Sequence, residues 1–469
     1  MKERKKTSSR RRFLGEASCA SVGSISALSS ILSLRMAGTL SADETDSDDD
    51  YKALVCVFLA GGNDSFNMIT PVSNDDYASY ALARGSIALP SSDFTPLPNP
   101  LADGRQLGLH KNMADLHSLY SEGNAAFICN VGTLVEPTTV AGIQAGTAKL
   151  PLGLFSHSDQ QSHWQSSLPE TRSPSSGWGG RMSDLIEDLN GVSGVSMNVS
   201  IAGINLFQSG QSTAIFSKTQ GAIPGIINWN NPASTLVARR EAVTDILEAE
   251  YGNVFERAFA SRSLEAITSA EEYRVAVEAA PPASTPFSSA NPLSLQLKDV
   301  AEAISVRKTL NKRRQTFFVT MGGWDHHSSL DPHPSMLQQL SEAIGEFQAE
   351  MTEMGVSDQV TLFTASDFGR TLSPNGAGSD HAWGGNQFVV GGAVRGRRVY
   401  GQYPELALGS PLDSGRGRLI PTTSVDEYFS ELALWMGVSK ANLPLVLPNL
   451  GRFHVLESPV APVGFMELV

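Results

Sequence analysis

Three apolar runs in this chain break off in the same manner. The segments FLAGGND (58–64), VTMGGWDHH (319–327) and FTASDFGR (363–370) each end an apolar stretch in small residues and then an aspartate. An unbroken run has no polar face to offer water, so such a strand is covered on both sides, as in a parallel sheet sandwiched by helices. The carboxyl ends of parallel strands open on one edge of the sheet, which is where sites form. Asp64, Asp325 and Asp367, far apart in sequence, are therefore expected to converge there.

A fourth run, AAFICNVGT (125–133), follows the amphipathic stretch MADLHSLYSEGN (113–124), so strand, helix and strand alternate as in a βαβ unit. The expected fold class is α/β, with a doubly wound, mostly parallel central sheet. The strands ending at Ala60, Val131, Met321 and Ala365 should be mutually parallel in it, and NQFVVGGAV (386–394) is one strand more. Helices are expected over LSLQLKDVAEAISVRKTL (293–310), over PSMLQQLSEAIGEFQAEMTEMG (334–355) and from near Ser183. Residues 195–292 hold short strands, helical stretches and a Pro/Ser/Ala connector, and are read as an inserted, largely helical cap mostly outside the sheet.

The first 42 residues are of another kind. A basic start is followed by a modestly apolar run of small residues and then AGTLSA (37–42), the order of an export signal. In SRRRFLG, the residues Arg10, Arg11, Phe13 and Leu14 match a twin-arginine signal, with cleavage near Ala37 or Ala42. Residues 43–50, DETDSDDD, form an acidic linker, and 51–469 the α/β domain. The expected partner during export is the twin-arginine translocase, and the expected location is the periplasm or beyond. No run is long and apolar enough for a stable membrane span in the mature chain. Removing residues 1–42 leaves 27 basic against 46 acidic residues, a balance of −19. That argues against nucleic acid as a partner. A small anionic ester substrate stays open, because a metal can reverse the local field. Cys56 and Cys129 sit in apolar runs and are read as buried thiols rather than a disulfide framework.

The chemistry lies in Asp64, Asp325, His327, Asp367, Asp380, His381 and His157. Carboxylate and imidazole together suit Zn²⁺ or Mn²⁺ in preference to Mg²⁺ or Ca²⁺. The set is large enough for one or two ions, and a pair of ions can clamp both oxygens of a phosphoryl or sulfuryl transfer. Each residue also has a plain structural use: Asp64 as a helix cap, His327 as a surface histidine, Asp367 in an ion pair with Arg370, Asp380 and His381 as turn residues.

The segments FLAGGNDSFNMITP, LFSHSDQQSHWQ, GGWDHH and SDFGRTLSPNGAGSDHAWGGNQFVVGGAVRGRRVYGQYP resemble an uncharacterised bacterial family with twin-arginine signals. That family is grouped with the alkaline phosphatase and sulfatase superfamily, and the resemblance covers most of residues 51–456. It implies an alkaline-phosphatase/sulfatase-like sheet, two metal sites and a Ser, Thr or modified Cys nucleophile. Asp64 would match the first-strand ligand, Asp325 and His327 an Asp/His pair, Asp367 the later strand-end Asp and His381 the final His. Two departures stand out: Asp367 is followed by Phe368 rather than histidine, and Asp325 and His327 are closer than the usual pair. They imply that one metal site is weak or absent. No Cys-x-Pro-x-Arg occurs, which argues against a formylglycine sulfatase. Ser156, before an expected helix, is the first candidate nucleophile and Thr133 the second; Ser156 is equally a plain N-cap. His157 and His163 are each either a ligand or a polar loop residue, and Arg370 either holds a substrate oxyanion or forms an ion pair.

Two functions fit. One is an exported metal-dependent hydrolase of phosphate or sulfate esters. The other is a non-catalytic exported protein that keeps the superfamily fold with one structural metal or none.

Overall fold

The computed structural model describes residues 50–468. The expected signal (1–42), its Arg10–Arg11 pair and the linker up to Asp49 lie outside the described residues. Asp50 lies within them, and its carboxylate pairs with Arg314 at 2.7 Å.

In chain order the strands are β1 (Lys52–Leu59), the short β2 (Ile69–Pro71), β3 (Phe94–Pro96) and β4 (Leu107–His110), then β5 (Ala125–Gly132), β6 (Asn198–Ser200), β7 (Ile215–Ser217) and β8 (Arg314–Met321). They continue with β9 (Val360–Ser366), β10 (Arg370–Asn375), β11 (Gly378–His381), β12 (Gly385–Val390), β13 (Arg398–Tyr400) and β14 (Thr423–Ser424). The central sheet runs β13-β5-β12-β9-β1-β8-β6-β7, with β14 paired on β5; β2, β3 and β4 form a small sheet of their own. Strand β1 lies parallel between β8 and β9, with Leu59 opposite both Met321 and Ser366. The three runs therefore end at one level on one edge.

Strand β12 is antiparallel to both of its neighbours, β9 and β5. Two antiparallel steps restore direction, so β5 runs parallel to β9, β1 and β8. The reversal has a local cause. Between Ser366 and Gly385 the chain makes only the hairpin β10–β11. With no crossover helix to carry it back, the next strand must return antiparallel.

Alternate residues of β1 feed two separate cores. Ala53, Val55, Val57 and Leu59 join Leu116, Leu297 and Leu337 from helices Ala114–Glu122, Pro292–Ser305 and His333–Glu353. Leu54, Cys56 and Phe58 join Met182 and Leu432 from helices Trp178–Ile186 and Val425–Met436. Each fully buried Val, Leu or Phe stabilises the fold by about 1.5–3 kcal/mol, so both faces of the sheet need cover. This is a doubly wound α/β sheet, mostly parallel.

Three local expectations are corrected. The segment 195–292 is helical over Ser234–Glu248 and Val254–Ala279, but it also adds β6 and β7 to one sheet edge, parallel to β8. The helix expected near Ser183 begins at Trp178. A Cβ on its Gly180 would stand 2.1 Å from the Ser209 carbonyl oxygen, so glycine is what allows that segment to approach. Asp380 and His381 lie on β11 of a hairpin rather than in an open loop. Cys56 and Cys129 are buried and free, and no helix among the described residues is long and apolar enough to cross a membrane.

Candidate metal centre

The loops after β1, β8 and β9 meet at the sheet edge. Gly61 has φ +119°, and a Cβ on it would lie 2.6 Å from the Asp325 amide nitrogen, so the β1 and β8 loops close up only with glycine here. The Gly61 amide donates to Asp367 at 3.1 Å. Arg370, fully buried, ties the loops together. It donates to the carbonyls of Gly62 (2.9 Å), Gly61 (2.5 Å), Trp324 (3.2 Å) and Ser379 (3.0 Å), and to the Asp325 carboxylate at 2.5 Å. Its ion-pair partner is thus Asp325, not Asp367. Burial acts to raise the Asp325 pKa. The bond and charge of Arg370, with the charges of His327 and His157, outweigh it and hold the carboxyl below its ordinary range.

Three imidazoles surround Asp325. His157 opens the helix His157–Ser166, and its Nδ1 lies 2.7 Å from Asp367. Gln161, one helical turn on, donates to the same Asp367 oxygen at 2.9 Å, because i and i+4 share a helix face. His327 Nδ1 lies 3.1 Å from Asp380, and His381 Nδ1 lies 2.7 Å from the Phe155 carbonyl. Ionised carboxylates and carbonyls only accept, so each Nδ1 carries a proton; a ring in its neutral form then presents a bare Nε2. All three Nε2 atoms face Asp325, at 3.4 Å from His157, 3.2 Å from His327 and 3.4 Å from His381. His157, Asp325 and His381 form a group whose ligand atoms lie within 4.8 Å of one another. His327 Nε2 adjoins it, 2.7 Å from His381 Nε2.

Two imidazole lone pairs at 2.7 Å repel unless a cation lies between them. A shared proton is one candidate. Burial lowers the His381 pKa; the bond to the Phe155 carbonyl acts to raise it, and the charges of Arg370, His157 and His327 lower it. A divalent ion is the other, and three imidazoles with one carboxylate suit Zn²⁺ or Mn²⁺. Phe368, where the resemblance expects a histidine, packs its ring 5.0 Å from His157 and 4.4 Å from His381, centroid to centroid.

The remaining candidates lie apart from this cluster or behind it. Asp367 and Asp380 sit behind His157 and His327. Asp380 is also held by Asn375 at 2.7 Å and Arg416 at 2.7 Å. Asp64, fully buried, pairs with Arg84 at 2.6 Å and accepts from Ser379 at 2.9 Å. Ser156 caps the helix, its hydroxyl accepting from the Asp159 amide. Thr133 is buried and donates to Gln160 at 2.6 Å. His163 is buried, 3.3 Å from Gln160. Sequence reasoning missed Gln161, Arg84, Arg416 and the Phe155 carbonyl. Only Gln161 had a signal, its one-turn spacing from His157.

The sequence model of one family, described as "Protein of unknown function (DUF1501)", matches residues 51–414. The chain belongs to the DUF1501 family. No curated protein compared with it matches. Among solved structures, the PsFucS1 sulfatase from Pseudoalteromonas sp. is similar at 10% identity, covering 88% of this chain and 73% of that one, with a TM-score of 0.34. Ps i-CgsB in complex with k-i-k-neocarrahexaose is similar at 10% identity over 84% and 74%, TM-score 0.28. A mutant of the alkaline phosphatase PafA is similar at 12% identity over 70% and 64%, TM-score 0.28. At such TM-scores these likenesses carry no argument, and the fold and site of this DUF1501 protein rest on its own geometry.

In this DUF1501 chain, the Asp367 carboxylate meets His157 Nδ1 at 2.7 Å and Gln161 at 2.9 Å, the position of a group that would orient a ligating histidine. Asp367→Asn is expected to weaken Zn²⁺ binding about 10–100-fold, the usual cost of losing a carboxylate behind a ligating histidine. Titration calorimetry reads it. A loss as complete as that of His157→Ala would make Asp367 a direct ligand.

Proposed function

We propose that this protein is an exported hydrolase of phosphate or sulfate esters that depends on one divalent ion, Zn²⁺ or Mn²⁺. His157, Asp325, His327 and His381 would hold the ion. The carrying observation is the set of three imidazoles with Nδ1 engaged and Nε2 turned on one carboxylate. An ion bound there supplies Lewis-acid polarisation of an ester oxygen. The chain's own part is positional. Asp367, Asp380 and the Phe155 carbonyl fix the three tautomers, and Arg370 fixes Asp325. The Asp325 side chain is 45% exposed, so the centre opens to solvent and to a substrate. With Ser156 spent as a cap and Thr133 buried, the attacking group in this reading is water.

A second reading has support of its own. His157, Asp325, His327 and His381 would make four protein donors, the number found in structural zinc centres, and among the described residues no side-chain hydroxyl is hydrogen-bonded to these four side chains. The protein would then be a non-catalytic exported molecule with one structural metal. Elemental analysis of protein exported in its folded state, followed by assay on an aryl phosphate and an aryl sulfate, separates the two. About one Zn or Mn per chain, with metal-dependent hydrolysis of either ester, is expected. Stoichiometric metal without hydrolysis selects the second reading, and absence of metal sinks both.

A further inference from the structure

The centre needs a cation to receive an anionic substrate, and most nearby arginines are already engaged. Arg370 is fully buried and spread over four carbonyls and Asp325. Arg84 is locked on Asp64 and Arg416 on Asp380.

Arg418 differs from all of these. It is half-buried, and no carboxylate lies within ion-pair distance of it among the described residues. Its Nε donates to the His381 carbonyl at 3.2 Å, and its guanidinium carbon stands 4.6 Å from the Phe155 ring centroid. Both anchors belong to the centre: His381 is one of the converging imidazoles, and Phe155 supplies the carbonyl that holds its Nδ1. Stacking and the Nε bond fix the plane of the guanidinium. Its two Nη groups are left without a protein acceptor among the described residues.

The backbone beneath is fixed as well. Arg418 lies on a tight turn whose Asp413 carboxylate accepts from the amides of Gly409 (2.8 Å), Gly415 (2.8 Å) and Gly417 (2.7 Å). The turn is bonded to β10. Arg416 O accepts from the Ser373 amide at 3.3 Å and hydroxyl at 2.9 Å, and Gly417 O from the Leu372 amide at 3.2 Å. An unpaired planar fork, held rigid at the rim of a metal centre in a chain of net charge −13, is a receptor for an oxyanion.

We infer that Arg418 binds the anionic group of the substrate and that this group is a tetrahedral oxyanion, the phosphate or sulfate of an ester. The inference rests on the hydrolase reading for its substrate, but its test does not depend on turnover. Inorganic phosphate and inorganic sulfate are titrated calorimetrically into the wild type, Arg418→Ala and Arg418→Lys, each with and without one equivalent of Zn²⁺. Metal content and melting temperature are measured alongside.

The wild type is expected to bind at least one anion. Arg418→Ala should weaken that binding about 10–100-fold, the effect of losing hydrogen bonds to a charged group. Arg418→Lys should be intermediate, because an ammonium keeps the charge and loses the fork. Metal content and melting should not change. The tighter of the two anions names the ester. If the wild type binds neither anion under either condition, or Arg418→Ala binds as tightly as the wild type, the inference is overturned. Anion binding that depends on Arg418 without any metal uptake would sink the metal reading and leave this one standing.

Discussion

His381→Ala, and separately His157→Ala, is expected to abolish stabilisation by Zn²⁺ while leaving a folded protein. The wild type should gain about 4 kcal/mol when free Zn²⁺ exceeds its dissociation constant a thousandfold, because the ion binds the folded state alone. Each variant should melt at the same temperature with and without the ion. The effect is large because His157, Asp325 and His381 are placed by three different elements, so the unfolded chain offers no such cluster. The pH dependence has a definite sign. Imidazole ligands bind as neutral rings, so metal binding weakens as pH falls. Burial and nearby positive charge hold the His381 pKa below its ordinary value, so this ring stays available further into acid than a free histidine. In the metal-free protein a depressed histidine pKa contributes stability that is present above the unfolded value and is lost as pH falls toward the folded one. Equal melting of the wild type with and without Zn²⁺ or Mn²⁺ would dismiss the centre.

Arg84→Met is expected to cost about 3–5 kcal/mol at neutral pH, the range for stranding a buried charge by removing its partner. Arg84 and Asp64 are both fully buried, paired through Asp64 Oδ2 at 2.6 Å, and Asp64 Oδ1 has no hydrogen-bond partner among the described residues. Burial acts to raise the Asp64 pKa, but the Arg84 charge, the His333 charge and the bonds from Arg84 and Ser379 together bring it below its ordinary value. The pair therefore contributes stability above the unfolded carboxylate pKa and loses it as pH falls through the lower folded value. In Arg84→Met the balance reverses: burial dominates and Asp64 prefers the neutral form. The gap between variant and wild type should then narrow from pH 7 to pH 5, and Asp64→Asn in the variant background should recover part of the loss. Urea midpoints at both pH values measure this. A gap below about 1 kcal/mol at pH 7, typical of an exposed pair, would mean that water reaches Asp64.

The parallel arrangement of β1, β8, β9 and β5 was legible in the sequence because their apolar runs leave no face for water. The approach of Asp325 and Asp367 on one edge followed from that arrangement, since parallel strands share a carboxyl end, whereas Asp64 is buried against Arg84. Gly61 was visible as a residue, and its close approach to Asp325 was not, because the two lie on strands far apart in the chain. The reversal of β12 was not read from its apolar pattern, which serves either direction. The absence of a crossover helix between Ser366 and Gly385 decided it.

What only the tertiary structure decided is the division of labour among acids of one type. Asp325 faces the three Nε2 atoms, Asp367 and Asp380 stand behind two of the rings, and Asp64 is taken by Arg84. Arg370 and Arg418 are likewise the same side chain, one buried under carbonyls and one open at the rim. A residue's type and its place at a strand end are properties of the sequence. Whether a carboxylate meets a metal or the far side of a histidine depends on ångström-scale orientation between loops hundreds of residues apart, and only packing of the whole sheet sets it.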